Sequence, residues 1–498
     1  MKTEKLILNY QRRGIKLSVS DNKLHFSAPQ NILTDEDKDI LKKNKKEIIK
    51  FLLDHTESEI IVDEEDKYEK FPLTDIQLSY LVGQDNVYKF GGTNCKIYTE
   101  IEYEQIELNK AQYAWEQVIK YNDMLHAVIN QEGTQEILSS YTVPQIVFSD
   151  LSDMENAEVI IAQKRESLTK KQYRVGTWPL FDVEITKLKN KYILHISLDM
   201  LVADFVSINV ILNEFEEVYY NGKLSFKQQL SFRDIVLYKE SLKKTVNGKK
   251  KYEEDKKYWE KRIPRLSEVP EFPVVEQQEK EVLFTQYKFF LESDEYEKLC
   301  DLAKNFQLTP SSLILTAYAE ALRKISKNQS FCIDVTMVDR PPFHPSIDRV
   351  IGDFTTANIL EVEDLDYTNY FEKAKKIQHR LWEDLSHNSF SSKEVLREMG
   401  KRIKKEITVP AVYTSTLGAV KYSNQRKGKI LYTISQTPQV LIDCQVLELE
   451  KGVRLNWDVR LGVFPKGLIE EAFESFREIL YLICDYPHKH YTFKHFEV

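Results

Sequence analysis

Residues 198–207 read LDMLVADFVS, which places two carboxylates, Asp199 and Asp204, inside an otherwise apolar run. The stretch before it, KYILHISL at 191–198, alternates as a β-strand, and the stretch after it, FVSINVILNEFEEVYY at 205–220, has the apolar spacing of a helix. The two aspartates therefore flank a strand-to-helix junction. A buried carboxylate without a partner is strongly destabilising. Each must meet arginine or backbone amides, either to hold a loop in place or to take part in chemistry, and spacing alone leaves both readings open.

Working outward, the same pattern of polar residues among apolar neighbours recurs. It picks out Arg340 and Asp353 in VTMVDRPPFHPSIDRVIGDFT, and Thr414 and Ser415 in VPAVYTSTLG. It also picks out Asp443 in TISQTPQVLIDCQV and Asp458 in LNWDVRLGVFP. Singly, each is a weak signal.

A chain of 498 residues exceeds one ordinary core and predicts two or three domains. With 42% hydrophobic and 30% charged residues it has a globular composition. A net charge of -8 argues against a dominant nucleic-acid surface. The N-terminus has no signal-peptide core, and no apolar run is long enough to span a bilayer, so neither a membrane nor secretion is expected. Five scattered cysteines, Cys95, Cys300, Cys332, Cys444 and Cys484, fit reduced thiols in a cytoplasmic protein. No metal-ligand spacing stands out, and His488 and His490 read as a solvated tail.

Residues 1–55 form a small unit. A hairpin is expected around Asp21-Asn22, then a helix from Thr34 with a capping box to Asp37 and Ile40, Leu41, Ile48, Ile49, Leu52 and Leu53 on its apolar face. Its 12 Lys/Arg against 8 Asp/Glu give +4, leaving -12 for the rest. Residues 56–70, with seven acidic residues and two lysines, read as a linker. Beyond it helices alternate with strands. A helix is expected at ELNKAQYAWEQVIKYN with Leu108, Ala111, Trp115, Val118 and Ile119 on one face, and a surface helix within 238–262. A second half starts near VLFTQYKFFL, with a helix at TPSSLILTAYAEALRKI and a strand at FCIDVTMV. The mixture predicts two α/β lobes, 71–262 and 263–498.

Taken in order, these segments resemble the heterocyclization domain of nonribosomal peptide synthetases, within the condensation-domain superfamily. FPLTDIQLSYLVGQ is similar to the family's opening segment, DMLVADFVS to its DxxxxDxxS signature, and YWEKRIPRLSEVPEFPV to its Trp and proline-rich segment. VIGDFTT, VPAVYTSTLG, SQTPQVLIDCQ and LNWDVRLGVFP resemble the later blocks, so the likeness runs over roughly 70–490. Residues 1–55 resemble the N-terminal docking domain of the tubulysin type, whose members receive the tail of an upstream synthetase at a strand edge.

The resemblance implies two chloramphenicol-acetyltransferase-like lobes in a V-shaped pseudo-dimer with a central tunnel, preceded by an α+β docking domain. It implies amide formation between a carrier-bound acyl or peptidyl thioester and a carrier-bound Cys, Ser or Thr, followed by cyclodehydration to a thiazoline or oxazoline. Where ordinary condensation domains carry two histidines, Asp199 and Met200 stand here, and Met200 cannot act as a base. The catalytic blocks point to Thr414 and Asp443, with Asp443 as proton shuttle and Thr414 as hydrogen-bond donor or support. Asp199 and Asp204 join the site as supports, Asp204 paired with Arg340 across the lobes, and Ser207, Arg340 and Gln439 are expected to bind substrate.

No cofactor is expected on this chain, since both substrates arrive on the phosphopantetheine of partner carrier proteins. The partners implied are upstream and downstream carrier proteins and an upstream synthetase tail. An adenylation domain is expected to follow Val498, unless the domain is free-standing. Gln84, YNDMLH at 121–126 and Asp339 depart from the family pattern, and Asp339 raises the expectation of an altered site charge. Two other readings stay open: a non-catalytic carrier-docking module, and an amide-forming enzyme without cyclization.

Overall fold

The computed structural model describes residues 6, 10, 15–20, 23–27, 34–54, 60, 62, 65–226, 230–275, 282–340, 344, 346–364, 369–418, 426–449 and 451–485. In the N-terminal unit, strands Lys16–Ser20 and Lys23–Ser27 pair antiparallel with Ser20 opposite Lys23. The expected turn residues Asp21-Asn22 lie outside the described residues. Thr34 caps the next helix with the expected box: Asp37 N donates to Thr34 Oγ1 at 3.2 Å and Thr34 N to Asp37 Oδ2 at 2.8 Å. One continuous helix was expected, but Asn44 ends it, its Nδ2 donating to Ile40 O at 2.8 Å, and Lys45–Asp54 is a second helix. The apolar period runs through the break, which hid it. Leu6, Tyr10, Ile15, Leu17, Leu41 and Ile48 form the unit's core.

The first lobe is built on a five-stranded sheet in the order Lys429–Gln436, Lys96–Tyr103, Tyr192–Asp199, Phe181–Lys187, Val147–Asp150. Helices Leu108–Tyr121 and Phe205–Asn221 cover one face. Ala111, Ala114, Trp115, Val118 and Ile119 are buried there, whereas Leu108, expected on the same face, is exposed at the helix's first turn. The strand Tyr192–Asp199 alternates Leu194, Ile196 and Leu198 with His195, Ser197 and Asp199, yet all are buried, because helix Ala157–Lys170 packs on the second face. The surface helix expected within 238–262 is Val246–Arg262, and the same stretch also holds the end of Phe232–Lys244. Thr245 separates them by accepting Gly248 N at 2.9 Å.

The second lobe is a six-stranded sheet in the order Phe284–Glu292, Gly452–Arg460, Ile442–Leu449, Ala411–Ser415, Phe331–Val338, Thr355–Val362. Helices Pro310–Ile325 and Leu468–Cys484 pack on one face around Tyr318, Trp457 and Phe476. The opposite face carries Asp334, Thr336, Thr414, Asp443, Gln445 and Asp458 at alternate positions. One element crosses the expected division at 262/263: Lys429–Gln436 leaves the second half and closes the first lobe's sheet, with Gln436 opposite Lys96.

A buried ion pair joins the lobes. Asp204 caps helix Phe205–Asn221 by accepting Ser207 N at 2.7 Å, and its oxygens accept from Arg340 Nη2 at 2.9 and 3.1 Å. Arg340 Nη1 donates to Ile347 O at 2.9 Å and Val350 O at 2.7 Å, and its guanidinium lies 4.2 Å from the Phe354 ring centre. Ser207 Oγ sits 2.9 Å from Gly352 O and accepts Gly352 N at 3.1 Å. Gly352 is required, since an added Cβ would stand 2.2 Å from Phe232 Cδ2.

Removing one partner of such a pair leaves the other charge buried. Asp204→Ala is expected to lose about 3–5 kcal/mol of unfolding free energy in urea titration. Asp339→Ala, whose partner Lys239 is at the surface, is expected to lose under about 1 kcal/mol. Equal midpoints for Asp204→Ala and the parent chain would remove the pair from its anchoring role.

Candidate active site between the lobes

A cavity of about 520 Å³ lies between the two sheets. Tyr80, Cys95, Ile97, Met200 and Phe205 line it from the first lobe. Ser435 joins them from the crossing strand, beside Ile97, and across from them stand Asp334, Thr336, Thr414, Asp443 and Gln445. The sheet register brings these together: Thr336 is opposite Thr414, Thr414 opposite Gln445, and Val412 opposite Asp443.

Thr336 Oγ1 donates to Thr414 Oγ1 at 2.8 Å, and Thr414 Oγ1 donates onward to Asp443 Oδ1 at 3.1 Å. Asp443 Oδ2 accepts from Gln445 Nε2 at 3.0 Å and from Ser435 Oγ at 3.3 Å. Desolvation pushes the Asp443 carboxyl up to about 6, with the Gln445, Thr414 and Ser435 donors pulling the other way. A carboxyl with that affinity both takes and gives protons near neutral pH. Asp334 also lines the cavity and is raised to about 7, first by desolvation and then by the charge of Asp443, while one of its oxygens is buried without a partner.

Thr414, Asp443 and Gln439 of the expected site residues reach the cavity; the others do not. Gln439 sits in a left-handed turn (φ 67°) pinned by Gln439 N donating to Phe90 O at 2.8 Å. Ser207 and Arg340, expected to touch substrate, are buried in the inter-lobe ion pair with their polar groups turned to protein. Asp204 is in that pair too. Asp199 lies at the end of its strand, accepting Asn94 Nδ2 and Leu201 N at 2.9 Å each, and desolvation raises it to about 7. Its position fixes the backbone that presents Met200 to the cavity. Asp339 is outside the lining: its carboxylate accepts Lys239 Nζ at 2.9 Å, so the expected change of site charge does not arise there.

Sequence reasoning missed Asp334, Ser435 and Gln445. Asp334 had the signal that picked out Asp443, an aspartate inside an apolar strand, in FCIDVTMV. Gln445 lies two residues on from Asp443 on the same strand face, so strand period alone offered it, whereas Ser435 reaches Asp443 from a separate strand that no local pattern places.

The two lobes, the cavity between their sheets and the inter-lobe carboxylate–arginine pair define a condensation-type acyltransferase fold. The chain belongs to the condensation domain family, whose match covers residues 67–492, and residues 4–54 match the TubC N-terminal docking domain. It is similar to the EpoB cyclization-docking bidomain of a nonribosomal peptide synthetase from Sorangium cellulosum, at TM-score 0.82 and 27% identity over 97% of this chain and 98% of that one. At 14% identity, the first condensation domain of the calcium-dependent antibiotic synthetase shares the fold, at TM-score 0.68 over 84% of this chain and 97% of that one. Pyochelin synthetase PchF of Pseudomonas aeruginosa is 27% identical over 98% of this chain. Bacitracin synthase 1 of Bacillus licheniformis is 30% identical over 84% of it. The chain spans 27% of the length of the first and 8% of the second. The architecture is that of a docking domain followed by a heterocyclization-type domain. Among the described residues no helix is long and apolar enough to cross a membrane, and no group of three or more His, Cys, Asp or Glu is placed to hold a metal ion.

Six carboxyls, five buried and Glu214 half-buried, have proton affinity raised by desolvation: Asp443 at about 6, Asp199, Glu214, Asp334 and Asp458 at about 7, and Asp353 at about 8. Their contribution to stability is complete below the unfolded carboxylate values and is lost as pH rises through these folded values. His195, held down at about 3, works in the opposite sense only below its ordinary value, and Lys96, lowered to about 8, only above the window. The urea midpoint is therefore expected to fall between about pH 6.5 and pH 8; a flat or rising profile contradicts the burial of these groups.

Proposed function

We propose that this chain condenses a carrier-bound acyl or peptidyl thioester with a carrier-bound Cys, Ser or Thr and then cyclodehydrates the product to a thiazoline or oxazoline. The observation that carries this reading is the Thr414–Asp443 contact in the inter-lobe cavity, with Asp443 poised near neutral pH. In the first step the acceptor amine attacks the thioester carbonyl, the C–S bond breaks, and the upstream thiol leaves with a proton. Met200 at the cavity wall offers no base for this step, so proximity of the two tethered substrates supplies most of its acceleration.

In the second step the side-chain thiol or hydroxyl adds to the new amide carbonyl, giving a hemiaminal. The hemiaminal hydroxyl then leaves as water and the nitrogen gives up its proton to form the C=N bond. Hydroxide is a poor leaving group, so a positioned acid must protonate it. Asp443 takes that role. Thr414, which accepts from Thr336 and donates to Asp443, holds the carboxyl towards the cavity. Cys is the favoured acceptor, since a thiol is the better nucleophile near neutral pH.

The docking unit supports a partner reading. Its two strands pair only with each other among the described residues, leaving edges to which an extended peptide can add. With 12 Lys/Arg against 8 Asp/Glu over 1–55, an acidic upstream tail is the matching ligand. The remaining partners are carrier proteins on either side and an adenylation domain, in the cytoplasm; no cofactor is assigned to this chain.

The test is intact mass spectrometry of a Cys-loaded downstream carrier incubated with this protein and an acyl-loaded upstream carrier. The parent chain is expected to give an acyl-Cys adduct lighter by one water. Asp443→Ala is expected to give the hydrated adduct at a comparable rate, with cyclodehydration reduced about 100-fold or more. A hydrated adduct from the parent chain identifies an amide synthase, and no adduct with any donor identifies a carrier-docking module.

A further inference from the structure

Asp443 faces a second carboxyl. Strands Ile442–Leu449 and Gly452–Arg460 pair antiparallel with Asp443 directly opposite Asp458, and both residues are buried. Ser435 Oγ stands between them, 3.3 Å from Asp443 Oδ2 and 3.2 Å from Asp458 Oδ2. Gln445 Nε2 donates to Ser435 Oγ at 2.6 Å, which leaves the single Ser435 proton to serve one carboxyl or the other. Asp458 is held in place by Gln286 Nε2 at 2.8 Å and by Ser435 N at 2.8 Å.

The surroundings favour one shared proton. The other ionisable groups around Asp443 are Asp334 on the strand beyond Val412, Tyr318 on the helix packed behind the sheet, and its neighbour Cys444. Among the described residues no Lys, Arg or His pairs with Asp443 or Asp458. Two carboxylates opposite each other without a cation repel, and a single proton between them removes the repulsion. Ser435 itself belongs to Lys429–Gln436, the strand that crosses to close the first lobe's sheet. The hydroxyl that bridges the two carboxyls is thus set by the seating of one lobe on the other.

We propose that Ser435 and Asp458 are positioning residues acting through Asp443, with Ser435 passing one proton between the two carboxyls during cyclodehydration. This inference rests on the cyclodehydration reading above. The reaction gives the arrangement a purpose. When the side-chain thiol or hydroxyl adds, its proton goes to the carboxyl pair as the new C–S or C–O bond forms, and the pair gives the proton it held to the carbonyl oxygen. When water leaves, the pair gives a proton to the departing hydroxyl and takes one from the nitrogen as the C=N bond forms. A lone carboxyl must complete each transfer before accepting the next, whereas a bridged pair stores one proton while the other moves, and it ends with the proton it began with.

The experiment follows amide and dehydrated products separately by mass spectrometry, in single turnovers across about pH 5.5–8.5, for the parent chain, Ser435→Ala, Ser435→Thr and Asp458→Asn. Amide formation is expected to stay within about twofold in all, and cyclodehydration to fall about tenfold or more in Ser435→Ala and Asp458→Asn. Losing the Ser435 donor raises the acid limb of the cyclodehydration profile by about half a unit or more. Losing the opposite charge in Asp458→Asn lowers it, and Ser435→Thr restores the parent profile. Unmoved acid limbs in a parent chain that does dehydrate, or amide and dehydrated products falling together, overturn this inference alone. A parent chain that never dehydrates its product overturns the underlying reading, and with it the role of the pair.

Discussion

The buried Asp204–Arg340 pair is the constraint on which the rest of the site depends. Neither residue touches the cavity, yet each fixes something that does. Asp204 caps the helix that begins at Phe205, and Phe205 lines the cavity. Arg340 follows directly on the strand that carries Asp334 and Thr336, and its second amino group gathers the carbonyls of Ile347 and Val350. The low-dielectric setting makes the pair costly to break without making it strongly stabilising overall. Its effect is to specify one seating of the lobes, and that seating decides where the first-lobe wall stands relative to Thr414 and Asp443.

A second tie, the crossing strand Lys429–Gln436, works differently. Beyond its pairing with Lys96–Tyr103, it is approached by the backbone amides of Lys427 and Gly428, which donate to Glu216 at 2.8 Å each on the first-lobe helix. At its other end it delivers Ser435 to the carboxyls of the second lobe. The strand is the outer member of the first lobe's five-stranded sheet, while its side chains reach the second lobe. The same backbone therefore serves assembly and site geometry, and a shift of the strand registers directly in the contacts of Asp443.

Much of this was legible in the sequence, because the informative residues break an apolar pattern. Asp204, Arg340, Thr414 and Asp443 each interrupt a buried run, and the order of those runs carried the family resemblance, which in turn implied the pairing of Asp204 with Arg340. What escaped was whatever depends on strand placement. The period of a strand says which residues share a face but not which sheet it joins, so the crossing of Lys429–Gln436 and the bridge at Ser435 were invisible. Ser207 and Arg340 were assigned to substrate because polarity near a motif looks the same whether it faces a cavity or another side chain. The helix break at Asn44 was missed for a related reason: apolar spacing on either side stays in phase, and only a side-chain cap reveals the end.

The division of labour in the cavity follows from where its acids lie. The first-lobe wall presents Tyr80, Cys95, Ile97, Met200 and Phe205, with burial pushing the Cys95 thiol and the Tyr80 hydroxyl well above their ordinary values. Neither is a base near neutral pH. Every group able to exchange protons near pH 7 along the lining sits on the second-lobe sheet, at Asp443 and Asp334, with Asp458 behind them. An amine that arrives already nucleophilic needs positioning more than a base, and an apolar wall supplies position. Expulsion of water needs a proton at one atom, and the carboxyl-bearing face supplies it. The asymmetry between the two walls thus matches the two steps in order, and makes the second step the one that depends on carboxyl chemistry.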